Sequence, residues 1–456
     1  MSFSDLSFIF RFLPLFLVTY YIAPAYLRRF VLLCASLLFY ALGDAHYFAL
    51  LIFLTIVNHL LGIQAAAHRR IFCALAVILD AELLIAFKLL GTALGASFLP
   101  VGISFYTFKM ISYQVDLYRG KVSPRPTPLD TATYFTLFAQ VTSGPIMRYP
   151  EYAASVLWHP SALMSAKDRR LFCLDRLEDG AFYFCTGLAF KVLIADHLAM
   201  CWRQIGTIGY AHLSTPLAWI GVLCYALNLY FDFWGFSLMA SGLTCALGFS
   251  FIENFHHPYA AKGVADFYRR WHMTLGSWFR DYVYIPLGGS RKGAFFTIRN
   301  LLLVWIMTAL WHGISVTFLI WGMVLFLLIV LEKYVTSRLP GILSSCLMRL
   351  HVWVLVPLSW IPFAMNSFDH LGGYMHRLFP FAHLPANVYA KDYVSVVQNY
   401  WPFLLAGLVF LIPAVYDTME KKRRHPLTAI VLLAAFWCSV YSLAGTDANP
   451  FMYFRF

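Results

Sequence analysis

The chain carries little charge. Only 12% of its 456 residues are Asp, Glu, Lys or Arg, whereas 61% are hydrophobic. Soluble domains have roughly a quarter charged residues and about half apolar ones, so this composition excludes an ordinary soluble domain. Long apolar runs recur from one end of the sequence to the other. They predict an all-α polytopic membrane protein rather than a soluble domain with one membrane anchor.

The motifs of the common soluble enzyme classes are absent from the sequence. It has no GxSxG nucleophile elbow, no Walker phosphate loop, no HExxH zinc motif and no GxGxxG after a predicted strand. Its nine cysteines form no CxxC pair and no metal-site spacing, and a free cysteine in an apolar run behaves as a small hydrophobe. We therefore expect no metal, no disulfide framework and no permanently bound cofactor.

Repeats, low-complexity tracts and soluble linkers are also absent, so we expect one membrane domain over residues 1–456. The first apolar segment has no cationic start and no small-residue cleavage site, which favours a retained span over a removed signal peptide. The expected parts are N-terminal spans (1–120), a catalytic core with re-entrant segments (121–333), C-terminal spans (334–445) and an extracytoplasmic aromatic tail (446–456).

The apolar segments predict the number of membrane crossings. Several of them are too short or too polar to span a bilayer, whereas residues 298–333 are long enough for two passes. Residues 148–180 are typical of an amphipathic or surface segment. We expect about eleven transmembrane helices plus re-entrant or amphipathic helices. The apolar segments are 6–26, 30–44, 47–67, 71–90, 95–112, 130–146, 180–200, 213–231, 234–252, 298–333, 350–366, 400–416 and 426–445.

The formal net charge of +12 bears on topology. In a membrane protein a basic excess usually marks cytoplasmic loops and not nucleic-acid binding, although basic loops would also attract a polyanionic donor. The basic clusters at 28–29, 68–70 and 421–424 are therefore expected in the cytoplasm. This arrangement places both termini on the extracytoplasmic side and makes residues 367–399 an external loop.

One stretch, Tyr268–Gly313, has the highest density of ionisable residues, and such residues at membrane depth are candidates for a functional site. His312 lies there between Trp311 and Gly313 in an otherwise apolar segment. Burial would keep its imidazole neutral, so that it could take a proton from an alcohol attacking a thioester. A histidine that only satisfies a neighbouring carbonyl is the equally weighted alternative.

Charged residues surround a second histidine, His272. Three arginines nearby cannot lose their charge, and each needs a carboxylate, a phosphate or water. One interpretation is a structural network of salt bridges. In the other, His272 faces a reaction chamber and the arginines bind phosphates of a donor. The arginines are Arg269, Arg270 and Arg280, and the local carboxylates are Asp266 and Asp281.

Further polar motifs interrupt the apolar runs. Broken helices at membrane depth are tolerated only where they line a cavity or pack against protein, so these motifs together predict a cavity. They are Pro100–Phe108, Thr142–Tyr149, Tyr230–Ser237 with Asp232, and Glu253–Phe255 with Asn254.

The order of these motifs along the chain resembles that of the membrane-bound O-acyltransferases, and in particular the bacterial branch that acetylates alginate. The motifs are PxGISFYTF, SGPIxRY, YFDFxG, ENF, RRWH, WFRDYxYIPLGG and LWHG, with Phe267-Tyr268 in place of an expected Phe-Trp. The resemblance implies a helical bundle around a central funnel. It makes His312 the catalytic histidine and His272 the second motif histidine. We expect donor-binding or channel-lining roles for Arg269, Arg270, Trp271, Arg280, Asp281, Asp232, Trp311 and Asn254.

The resemblance also implies an activity. The protein would pass an acetyl group from acetyl-CoA across the bacterial cytoplasmic (inner) membrane, where lipid surrounds it. A periplasmic partner resembling a serine esterase would then deliver the group to an envelope polysaccharide such as alginate, cellulose or peptidoglycan. Tyr453 in the aromatic tail would receive the acyl group, or else the tail is an interfacial anchor. The alternative functions are D-alanyl transfer to teichoic acid-like polymers and a transporter or flippase, which should show inverted repeats that this sequence lacks.

Overall fold

The computed structural model describes residues 1–67, 69–122, 125–156, 166–365, 367–379 and 389–445, and in these ranges the regular elements are helices. This confirms the all-α prediction for that part of the chain. Tyr453 and the rest of the aromatic tail lie outside the described residues. The α-helices are α1 Leu13–Ile22, α2 Ala25–Gly43, α3 Phe48–Ala65, α4 Arg70–Leu94, α5 Ile103–Tyr118, α6 Pro128–Thr136, α7 Phe138–Val141, α8 Tyr149–Val156, α9 Ala166–Ala189, α10 Asp196–Ile208, α11 Thr215–Ala246, α12 Val264–Arg270, α13 Met273–Phe279, α14 Ala294–His312, α15 Val316–Tyr334, α16 Gly341–Leu350, α17 Val356–Ala364, α18 Phe368–Arg377, α19 Asp392–Phe410, α20 Pro413–Lys421 and α21 Pro426–Gly445.

Nine helical stretches among the described residues are long and apolar enough to cross a membrane, compared with the eleven or so that the sequence predicts. Two further apolar helices miss these limits. Phe8–Ile22 is too short, and α4 contains four charged residues. The nine stretches are Ala25–Gly43, Phe48–Ala65, Leu171–Ile208, Thr215–Ala246, Ala294–His312, Val316–Arg338, Gly341–Ala364, Asp392–Phe410 and Pro426–Gly445.

One sequence-based boundary is wrong and one is confirmed. Residues 213–231 and 234–252 were expected as separate segments, but α11 runs through both because the aspartate between them is neutralised by a lysine and does not interrupt the backbone. Residues 171–180, expected in an amphipathic or surface segment, are mostly exposed or half-buried and form the charged start of the helical stretch Leu171–Ile208. The two passes expected within 298–333 are present as α14 and α15.

The chain forms two compact units. Unit 1 comprises Met1–Leu188, Phe236–Glu253 and Arg423–Phe456, and unit 2 comprises Ala189–Gly235 and Asn254–Lys422. This division does not follow the four parts expected from the sequence, and those parts stay a prediction. The funnel and the orientation of the termini also stay predictions.

Unit 1 has acidic residues on α9 that lie close to basic residues just before α21. Arg423 Nε lies 2.7 Å from Asp179 Oδ1, and Arg424 lies 3.2 Å from Asp175 Oδ1. These ion pairs neutralise carboxylates of the charged segment 171–180. A charged stretch can therefore continue into an apolar helix.

Unit 1 also requires a glycine at one tight contact. Gly102 has φ +75°, and a Cβ there would lie 2.0 Å from the carbonyl oxygen of Val141. The left-handed backbone and the close approach both favour glycine. Gly102 precedes α5, which explains why glycine occurs in the polar motif Pro100–Phe108.

In unit 2 the neighbouring helices α14 and α15 pack closely. A Cβ on Gly322 of α15 would lie 3.0 Å from the Cβ of Ala309 and 3.1 Å from the carbonyl oxygen of Trp305, both on α14. Small residues allow backbones of membrane helices to approach in this way. The contact fixes the end of α14 that carries His312.

Candidate active site

The loop between α12 and α13 is built around a histidine with unusual backbone geometry. His272 has φ +46° and ψ +53°, and His257 is the other non-glycine residue with positive φ among those described. A left-handed conformation costs an L-residue about 1–2 kcal/mol. It persists where surrounding contacts determine it, and such residues cluster at functional sites.

Asn254 supplies those contacts. Its Oδ1 lies 3.1 Å from Nδ1 of His272, and it accepts hydrogen bonds from Thr274 through the backbone N–H at 3.2 Å and the hydroxyl at 2.9 Å. Its backbone carbonyl accepts the N–H of Met273 at 2.9 Å. One residue thus holds positions 272, 273 and 274. The structure brings Asn254 to His272, and the expected donor-binding or channel-lining role of Asn254 stays a prediction.

Glu332 on α15 holds the other end of α12. Its carboxylate accepts the backbone N–H groups of Val264 at 2.8 Å and Ala265 at 3.2 Å, and His351 Nδ1 lies 3.1 Å from the same group. Glu332 is 4% exposed. A carboxylate at a helix N-terminus satisfies otherwise unpaired N–H groups and complements the helix dipole. It therefore fixes the helix that leads into His272.

The His272 ring is buried among aromatic side chains. Its centroid lies 4.6 Å from that of Phe233 and 6.4 Å from that of Trp311. Nε2 is buried and has no hydrogen-bond partner among the described residues. Because burial disfavours the charged ring, the pKa of His272 falls to about 3. The imidazole is therefore neutral at neutral pH.

His312, the last residue of α14, lies in a second aromatic environment. Its ring centroid is 4.5 Å from Trp311, 4.9 Å from Trp321 and 5.0 Å from Phe363, and the residue is 5% exposed. Trp311 contacts both motif histidines. The two predicted catalytic residues are thus brought to the same indole ring, and burial of His312 agrees with the sequence-based expectation.

The residue after His312 is a glycine for a steric reason. A Cβ on Gly313 would lie 2.5 Å from Cε2 of Phe318, so a larger residue would displace the aromatic wall beside His312. Glycine at this position therefore lets Phe318 pack beside His312, with 6.2 Å between the ring centroids.

The arginines near His272 pair with the carboxylates expected from the sequence. Arg269 and Arg270 lie 3.3 and 3.2 Å from Asp266, and Arg280 lies 2.7 Å from Asp281. The salt-bridge interpretation is therefore confirmed for these pairs. The side chains of Arg269 and Arg280 stay 71% and 62% exposed, so donor binding by these arginines stays a prediction.

Two further candidate residues have structural contacts that the sequence did not reveal. Trp271 is buried, stacks on Phe267 at 5.5 Å between centroids and lies 5.1 Å from Trp360. Asp232 is 3% exposed and lies 3.1 Å from Nζ of Lys191. The expected channel-lining role of these two residues stays a prediction.

Several residues of unit 2 with buried or paired charges were not predicted from the sequence. A lone lysine in the apolar segment 180–200 was the one available signal, because a buried ammonium needs a carboxylate. Nothing in the spacing pointed to the others. The missed residues are Lys191, Glu332, His351, His257 and Asp417, of which the last two lie 2.7 Å apart between Nε2 and Oδ1.

Comparison with known proteins identifies related sequences. Residues 120–346 match the model of the MBOAT, membrane-bound O-acyltransferase family. The chain is 34% identical to a probable alginate O-acetylase AlgI of Pseudomonas fluorescens over all of both chains. It is 35% identical to the protein of that name in Pseudomonas syringae pv. tomato over 82% of this chain and 74% of the relative. A peptidoglycan O-acetyltransferase of Helicobacter pylori is 30% identical over 80% of this chain and 77% of that protein.

Proposed function

The chain belongs to the membrane-bound O-acyltransferase family, and from this basis we propose that it passes an acetyl group from cytoplasmic acetyl-CoA towards O-acetylation of an extracytoplasmic polysaccharide. Membership makes the protein an O-acyltransferase with several membrane spans. The names of its relatives, O-acetylases of alginate and of peptidoglycan, support acetyl as the group and an envelope polysaccharide as the final acceptor.

The observation that carries the proposal is the pair of buried histidines that share Trp311. Transfer from a thioester requires that an acceptor hydroxyl lose its proton as its oxygen attacks the carbonyl carbon. The C–O bond then forms, the C–S bond breaks, and the thiolate leaves with the proton. A neutral imidazole is suited to take and return that proton. We assign the proton transfer to His312 and a supporting role to His272.

Exposed cations support entry of a polyanionic donor. The side chains of Arg269 and Arg280 are mostly exposed even though each contacts a carboxylate, and Arg291 and Lys292 in the following loop are exposed as well. Arginine binds phosphate through paired N–H groups. The phosphates of coenzyme A are the chemical group that such a surface fits.

The acyl group would leave through the tail and a second protein. Tyr453 would accept the acetyl group as an ester, and a periplasmic serine-esterase-like partner would carry it to the polysaccharide. Purified protein incubated with radiolabelled acetyl-CoA should become labelled, whereas Tyr453→Phe should not. Equal labelling of both proteins would reduce the tail to a membrane anchor.

The proposed function is tested by replacing each histidine in cells whose polysaccharide acetylation is measured. We expect His312→Ala to abolish acetylation and His272→Ala to reduce it at least about 100-fold, the usual scale of acid–base contributions. His370→Ala, an exposed histidine of α18, is the matched control. Unchanged acetylation in His312→Ala at normal protein levels would refute the assignment and favour a transporter or flippase.

A further inference from the structure

The contacts of Asn254 reveal which nitrogen of His272 carries the proton. The backbone N–H of Thr274 can only donate, so the amide atom that it contacts at 3.2 Å is the oxygen of Asn254. That oxygen can only accept. Nδ1 of His272, 3.1 Å away, must therefore be the N–H of the imidazole. The orientation of the amide and the tautomer of the ring follow from one backbone donor.

The other ring nitrogen consequently presents a lone pair. In a neutral imidazole with a proton on Nδ1, Nε2 is an acceptor and not a donor. Nε2 of His272 is buried without a partner among the described residues, and its residue is 4% exposed. Leaving a buried polar atom unpaired costs about 1–3 kcal/mol, and such atoms in native proteins call for an explanation such as a catalytic role.

The rest of the loop keeps this lone pair in place. Backbone hydrogen bonds join Met273 N–H to Asn254 O at 2.9 Å and His256 N–H to Arg270 O at 3.0 Å, on either side of His272. The left-handed backbone of His272 restricts the direction of its ring. The low pKa of His272, caused by burial, keeps the ring uncharged. Position, tautomer and charge thus all leave Nε2 as an acceptor.

We propose that Asn254 is a positioning residue that holds His272 as the Nδ1–H tautomer, so that Nε2 accepts a hydrogen bond from an N–H group of the acyl donor. This inference rests on the proposed acyl transfer. The amide N–H groups of the pantetheine arm have the required chemistry, whereas the single proton of the acceptor hydroxyl goes to His312. His272 cannot then donate to the oxyanion that forms on the thioester, so that charge is stabilised by other groups.

Replacing Asn254 with Asp or Leu separates this role from packing. Aspartate keeps the oxygen that accepts Nδ1–H, but its charge favours the protonated ring, which has no lone pair on Nε2. We therefore expect Asn254→Asp to approach wild-type kcat/KM at high pH and to lose it about tenfold per pH unit below the new, raised pKa of His272. Asn254→Leu should be at least about 100-fold less active at every pH. Thr418→Asp, which adds a carboxylate at an exposed position of α20 outside the candidate spans, is the control and should retain the wild-type profile.

The assay uses the full-length protein in nanodiscs and follows the release of free thiol from acetyl-CoA as the acetyl group moves to Tyr453. We expect Asn254→Leu to raise KM for acetyl-CoA, because the pantetheine amides lose the positioned acceptor Nε2. A wild-type pH profile in Asn254→Asp overturns the inference.

A measurement on the wild type protects the inference against variants that fail to fold. The ¹⁵N chemical shifts of His272 in labelled protein distinguish a proton on Nδ1 from one on Nε2, and a proton on Nε2 overturns the inference. Failure of the proposed function looks different, because wild-type protein would then release no thiol from acetyl-CoA or His312→Ala would stay active.

Discussion

The carboxylate of Glu332 should contribute far more to stability than its position near the end of α15 indicates. It accepts two backbone N–H groups of α12 and contacts His351, all within 3.2 Å and away from solvent. Removing this buried acceptor leaves its two backbone donors without a partner, at about 1–3 kcal/mol for each. We therefore expect Glu332→Leu to lower the free energy of unfolding by about 4 kcal/mol.

A graded series of variants makes this prediction quantitative. Glu332→Gln keeps one accepting oxygen but loses the charge, so its loss should be roughly half as large, about 2 kcal/mol. For a unit of 150–250 residues, 4 kcal/mol corresponds to a decrease in Tm on the order of 10 °C. Thermal unfolding of the protein in nanodiscs gives the measurement.

The neighbouring residue provides the control. Lys333→Gln changes an exposed charge and should stay within about 0.5 kcal/mol of the wild type. Because α12 leads to His272, the specific activity of the folded fraction of Glu332→Leu should fall as well. If Glu332→Leu lost less than about 1 kcal/mol of unfolding free energy, its hydrogen bonds would not stabilise α12 as expected.

Three further perturbations have defined outcomes. Lys191→Met should lower Tm by leaving Asp232 buried without its cation, and adding Asp232→Asn should restore much of the loss in a double-mutant cycle. Gly102→Ala should greatly reduce the yield of folded protein because its Cβ would lie 2.0 Å from a carbonyl oxygen. Gly95→Ala meets no atom within 4 Å and should cost only the strain of its positive-φ backbone, about 1–3 kcal/mol. Burial alone would raise the pKa of Asp266, but its hydrogen bonds to a backbone N–H and the arginines outweigh burial and hold the pKa below its usual value. Its stabilisation is therefore present above the unfolded pKa and lost as pH falls below about 4, and Asp266→Asn should show a flatter unfolding free energy over that interval.

The parts of the fold that sequence predicted are those determined locally. The hairpin of α14 and α15 follows from the length of one apolar run and from a glycine that breaks it. The ion pairs of Asp266 and Asp281 involve residues no more than four positions apart. In both cases the interacting residues are close together in the chain, so pattern and chemistry are sufficient.

Contacts between distant residues explain what was mispredicted or not predicted. The polar residues around Asp232 resembled the end of a span, but the lysine that neutralises this aspartate is 41 positions earlier. The ion pairs of the α9 carboxylates were not predicted, because their arginines come 244 and 249 positions later. Nothing in a single sequence indicates which distant charge will compensate a buried one.

The same limit applies to the candidate site. The sequence pointed to Asn254, His272 and His312 and to a donor-binding or channel-lining role for Asn254, which stays a prediction, but it did not connect Asn254 with His272. The hydrogen bonds to His272 and Thr274 become visible only when a loop 18 positions away folds onto it. The shared contact with Trp311 likewise depends on the packing of α14 against the loop that precedes α13.

The left-handed histidines have a consequence for how selection acts on this chain. At His272 the backbone conformation costs about 1–2 kcal/mol, whereas a neutral hydrogen bond to Asn254 returns only about 1 kcal/mol. Histidine is therefore no better for stability there than glycine or asparagine, which adopt this conformation more readily. Directed evolution for thermostability alone should replace the histidine and inactivate the protein, whereas selection for acetylated polysaccharide should retain it. Stability and activity thus favour different residues at the same position.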